Sequence, residues 1–193
     1  MTNAMILDFY GTAVSKNGLD TLIDSYTART AEGKIDYDRG GSTILGQINR
    51  ANQELIAETK SIFFPGVKAL YDRATDSDLE VRVYSNGHGA FIEKAFELQG
   101  MNVRFLDPSI VGDKKQAESY RTIRTKEGYD IIIFATDSQE EVDAAIGGEI
   151  DKALLIDADN PDYSSVEEAI DETDQENESD GLESEGDADA TEA

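Results

Sequence analysis

The chain has 193 residues, room for one domain with a small insertion, and 39% are hydrophobic, enough for a packed core. Its 41 acidic and 17 basic residues give a formal net charge of −24, which argues against nucleic-acid binding because few cations are present to neutralise phosphates. With no cysteine and a single histidine, His88, disulfides, thiolate catalysis, multi-histidine metal centres and histidine-based triads are excluded.

Residues 4–7 are an apolar run ending in Asp8 and broken by Gly11, the pattern of a buried strand that delivers an acid to its C-terminal end. Helical spacing follows over residues 19–30 and 42–62, separated by a polar break at 33–41. Pro65 opens another helix, in the first turn where proline costs least, carrying Val67, Leu70 and Tyr71. From there strand and helix alternate. Strands are expected at 79–84, 102–106, 130–135 and 153–156; helices at 90–98, 114–126 and 138–146, closed by Gly100, Gly128 and Gly147. Such alternation implies right-handed crossovers and a parallel sheet with helices on both faces. The expected fold is therefore a Rossmann-like α/β core, residues 1–14 and 63–163, with a small helical cap, residues 15–62, inserted after the first strand. Residues 164–193 are expected to be an acidic tail. Val166 to Ile170 can form a closing turn, and from Asp171 onward the composition predicts disorder.

Residues 161–193 hold 14 acidic residues and no basic one, so residues 1–160 still carry −10. An acidic surface spread over the folded part is the pattern of adaptation to high salt, where screening makes the repulsion tolerable. No apolar run approaches the roughly 18 residues needed to span a bilayer, and the N-terminus lacks a basic leader, so a cytoplasmic location is expected.

In parallel α/β sheets, ligands bind outside the carboxyl ends of the strands. Three of the expected strand ends carry reactive polar groups: Asp8, Ser85 with Asn86, and Thr136 with Asp137. A fourth, Lys114, opens the helix after the strand at 102–106. Taken singly, each is an ordinary turn or cap residue; taken together, they mark a site.

In this order the motifs resemble those of the haloacid dehalogenase superfamily. Asp8-Phe9-Tyr10-Gly11-Thr12 is similar to its first motif, Tyr84-Ser85-Asn86-Gly87 to its second, Lys114 to its third, and Thr136-Asp137-Ser138-Gln139-Glu140-Glu141 to its acidic fourth. The resemblance spans about residues 4–160 and implies a hydrolase with a covalent aspartyl intermediate. Asp8 would be the nucleophile. Lys114 would hold Asp8 and the transferring group, and Ser85 and the Asn86 amide would take an anionic oxygen. Tyr10, Thr12, His88 and Tyr120 complete the expected contacts to a small anionic substrate, and Arg29 and Arg39 are candidate contacts from the cap.

Two branches of that superfamily compete. A Mg²⁺-dependent phosphatase, similar to the enolase-phosphatases, would bind its ion through Asp8, the Tyr10 carbonyl, Asp137 and, through water, Glu141. It would ordinarily carry an acid where this chain has Tyr10, whose phenol is a poor proton donor. A 2-haloacid dehalogenase needs neither that acid nor a metal, and it shares the first motif with Tyr, the Ser-Asn-Gly triplet, and a Lys and Tyr six apart, here Lys114 and Tyr120. The acidic fourth motif favours the phosphatase. A non-catalytic relative that binds a phosphorylated metabolite is the remaining alternative.

Overall fold

A computed structural model of the chain describes residues 2–22, 57–87 and 89–184. Five strands form one sheet: β1 (Ala4–Leu7), β2 (Glu80–Tyr84), β3 (Arg104–Leu106), β4 (Ile132–Thr136) and β5 (Lys152–Leu155), in the order β3-β2-β1-β4-β5. Every pairing is parallel; Leu7 lies between Val83 and Ala135. The chain winds outward from β1 to β3, then crosses back to β4. The order therefore reverses beside β1, and the crevice at that reversal is where such sheets place their ligands.

Side-chain alternation divides β1 between two cores. Met5 and Leu7 face one side, with Val81, Val83, Ile133 and Ala135. That side is covered by α1 (Val67–Asp76), α2 (Gly89–Glu97) and α6 (Ser164–Ser184). Ala4 and Ile6 face the other, with Tyr84, Ile132 and Phe134, beneath α4 (Ala117–Glu127) and α5 (Gln139–Gly147). A short α3 (Pro108–Val111) precedes α4, capped by the Asp107 carboxylate on the Ser109 amide. The expected α/β sheet with helices on both faces is the observed one.

Of the inserted segment only the two ends are described, helical residues 16–22 and a 3₁₀ turn at Thr59–Ile62. They close on each other: the Ser15 amide donates to the Ile62 carbonyl, the Phe64 amide to Ala13, and Val14 bridges Phe63 in antiparallel fashion. The body of the expected cap lies outside the described residues, as do Arg29, Arg39 and His88.

One expectation fails. The acidic tail does not lose its structure at Asp171, because α6 continues to Ser184. Val166, Ala169, Ile170 and Thr173 are all buried, an i, i+3, i+4, i+7 stripe docked against the sheet and α1. Arg73 on α1 binds Asp171 through Nε and Nη2, and Ser77 donates to Asp174, so two of the acids on this helix have partners on α1 and just after it. Arg82 on β2 is buried. It meets the Tyr129 hydroxyl at 2.7 Å and is paired with Glu127, while Arg104 is exposed.

Candidate active site

Asp8 follows β1 at the sheet reversal and is buried. Its Oδ1 accepts the Phe9 amide at 2.7 Å and lies 2.8 Å from the Lys114 ammonium. Lys114 also reaches Glu141 at 3.1 Å, whose other carboxylate oxygen accepts the Thr136 hydroxyl at 2.7 Å. The result is a buried line from Asp8 through Lys114 and Glu141 to Thr136, with each charge answered. Burial pushes the Asp8 carboxyl up from 3.8 to about 6, although Lys114 pulls the other way. At neutral pH it remains mostly ionised though desolvated. Among the described residues both polar contacts fall on Oδ1.

The Lys114 loop is pinned from below. Gly112, at φ +109°, turns the chain out of α3, and a Cβ there would fall 2.3 Å from the Ser119 hydroxyl oxygen. Tyr84 donates to the Gly112 carbonyl at 2.6 Å and Tyr120 to the Lys114 carbonyl at 2.8 Å. Tyr120 is fully buried, packed edge-on against Tyr84 and Phe134. The hydroxyl expected from sequence to meet substrate is thus turned to the Lys114 backbone.

The turn after Asp8 is shaped by Gly11, at φ +88°. A Cβ at Gly11 would fall 2.5 Å from an Asp137 carboxylate oxygen, so only glycine lets Asp137 lie over this turn. Thr12 is fully buried, its hydroxyl without a hydrogen bond among the described residues. Its carbonyl accepts the Tyr163 hydroxyl at 2.5 Å, which ties the start of α6 to the turn after Asp8. Ser85 is buried at the end of β2 and Asn86 is exposed. An open cleft of about 580 Å³ runs past Asn86, Glu93, Phe105 and Asp107; Asp8 and Lys114 do not line it.

Sequence reasoning missed Lys16. Its ammonium is paired with Asp137, whose side chain is only 5% exposed, and stands 5.8 Å from the centre of the Tyr10 ring. The Tyr10 hydroxyl donates to Asp20 at 2.7 Å, and that bond raises the phenol further above its ordinary range. The Tyr10 proton is thus held on Asp20. Lys16, Tyr10 and Asp20 share one short stretch, and the only signal for Lys16 in the sequence is its nearness to the first motif.

The magnesium implied by the resemblance would draw on Asp8, the Tyr10 carbonyl, Asp137 and Glu141. Here Asp8 and Asp137 each carry a lysine, and both Glu141 oxygens are engaged by Lys114 and Thr136. Among the described residues no three His, Cys, Asp or Glu side chains gather as a metal site. The donor set as it stands does not fit the ion.

No family model matches the sequence, and no curated protein matches it. Solved structures do. The UTR4 protein of Saccharomyces cerevisiae superposes with a TM-score of 0.53 at 20% identity, covering 84% of this chain and 93% of that one. CbbY of Rhodobacter sphaeroides, in complex with phosphate, gives 0.51 at 16% identity, over 78% of this chain and 84% of that one. A dehalogenase gives 0.51 at 14% identity, over 84% and 89%. Together with the parallel sheet and its reversal at β1, these likenesses show that the chain shares the α/β fold of those solved structures.

Proposed function

We propose that the chain is a hydrolase of small anionic substrates that works through a covalent intermediate on Asp8. The buried Asp8–Lys114–Glu141 line at the sheet reversal carries this reading. Burial and a fixed cation make a carboxylate a usable nucleophile, and a purely structural role would not call for a charged group there. In the first half-reaction Asp8 Oδ2 attacks the reacting centre and the leaving group departs with the bonding electrons. Water then cleaves the aspartyl intermediate and restores the carboxylate. Lys114 holds the orientation of Asp8 and offsets negative charge on the transferring group, while Ser85 and the Asn86 amide are placed to donate to an oxygen of that group.

Phosphate monoesters are the first substrate class. Support comes from Asp137 lying over the nucleophile turn and from phosphate bound to the similarly folded CbbY. A second reading, hydrolysis of 2-haloacids, is favoured by Tyr10, since halide leaves without a proton. No step in either reading is routed through a metal. The test is a panel of phosphate monoesters and 2-haloacids, assayed with EDTA and with Mg²⁺, at low and at molar KCl. Turnover of either class that Asp8→Asn abolishes supports the proposal. Turnover of neither class by folded protein overturns it in favour of a non-catalytic binding role.

A further inference from the structure

We propose that the Lys16 ammonium, seated on the Tyr10 ring, is a built-in substitute for a divalent cation at Asp137. The inference concerns the same site as the proposed function, but its first readout is cation binding, which does not depend on turnover.

Asp8 follows β1, Asp137 and Glu141 follow β4, and two lysines answer these three carboxylates. Lys114 is shared by Asp8 and Glu141, so Asp137 depends on Lys16 for its countercharge. A carboxylate this buried needs either such a partner or a metal. One departure from the resembled pattern then has an explanation. Position 10 holds an aromatic ring where an acid is ordinary, and that ring lies 5.8 Å from the ammonium, within reach of a cation–π contact. The Tyr10 hydroxyl is anchored on Asp20 of the same short helical stretch, which fixes the ring beneath Lys16. Lys16 is itself 44% exposed and extends over Gly11, where a Cβ would fall 2.5 Å from its Cε. The glycine, the tyrosine and the lysine form one seat for a single positive charge beside the nucleophile turn.

A monovalent ammonium differs from a divalent ion in a testable way. It is tethered, insensitive to chelators, and blocks the carboxylate that a metal would need. The experiment is Mn²⁺ binding to the full-length protein, read by electron paramagnetic resonance and calorimetry, for wild type, Lys16→Met, Lys16→Arg and Lys16→Met/Asp137→Asn. The double variant subtracts ions held elsewhere on this acidic chain. The expected result is no Asp137-dependent site in wild type or Lys16→Arg. Lys16→Met should gain one site, at least about tenfold tighter than any background binding, and the double variant should lose it. With an active substrate in hand, wild-type turnover should ignore EDTA, while Lys16→Met should be impaired and rescued by Mg²⁺. A site in wild type that Asp137→Asn alone removes would overturn the proposal. So would a folded Lys16→Met protein with no gain of binding. Should Lys16→Met not fold, Lys16→Gln takes its place under the same criteria, since a half-exposed side chain tolerates a neutral polar one.

Discussion

Replacing Asp8 with Asn should trade activity for stability in a pH-dependent way, and the size of the trade follows from burial. The folded-state carboxyl titrates near 6 against 3.8 ordinarily, so the folded protein binds this proton more tightly than the unfolded chain does. Stability contributed by the protonated form is therefore fully present below about pH 4 and lost as the pH rises through about 6. At about 1.4 kcal/mol per tenfold, the cost of holding Asp8 ionised at pH 7 is about 3 kcal/mol. Asparagine has no such titration, and Lys114 keeps Glu141 as a partner in the variant. The difference in unfolding free energy between Asp8→Asn and wild type should therefore shift in the variant's favour by about 3 kcal/mol between about pH 4 and pH 7. Urea unfolding at fixed KCl measures it, and the other acids cancel in the difference. A difference independent of pH would refute the claim that burial raises this carboxyl. Turnover should fall at least about 10³-fold, about 4 kcal/mol of barrier. The wild-type kcat/KM should show an acid limb near pH 6, where Asp8 loses its charge.

Lys114→Met leaves Asp8 and Glu141 buried without their cation. It should abolish turnover and cost about 3–5 kcal/mol at neutral pH, with partial recovery in acid, as read by urea unfolding across pH. Gly11→Ala places a Cβ against Asp137 at φ +88°. An expected loss of about 1–3 kcal/mol, together with reduced turnover, can be read from thermal melts and kinetics; unchanged behaviour would count against the tight turn. Deleting residues 171–193 removes buried Thr173 and the partners of Arg73 and Ser77, so the thermal midpoint should drop by more than a few degrees. Stability should rise from low to molar KCl if the −24 charge is a salt adaptation, and a flat response would remove that reading.

The parallel sheet was legible because its strands and helices alternate by period, three of the helices closing on a glycine; the strand order was not. The Asp8, Ser85, Lys114 and Glu141 positions were legible because parallel strands bring their C-terminal ends together. Other contacts were hidden for physical reasons. Lys16 reaches Asp137 across 121 positions, a pairing that no local pattern encodes. Tyr120 reads as a site residue by its distance from Lys114, yet its hydroxyl is spent on the Lys114 carbonyl. In α6 the apolar stripe Val166, Ala169, Ile170, Thr173 was present in the sequence. It was outweighed by the density of acids, whose partners Arg73 and Ser77 lie almost a hundred residues away.

The most direct test of the account is to look for the intermediate itself. Wild-type protein, mixed with the substrate class that it turns over and quenched within a single turnover, should yield one modified peptide, with the added phosphoryl or acyl-linked group on Asp8. The group should disappear on longer incubation and never form in Asp8→Asn. Turnover with no adduct on Asp8, or an adduct on another residue, would contradict the assignment of Asp8 as the nucleophile.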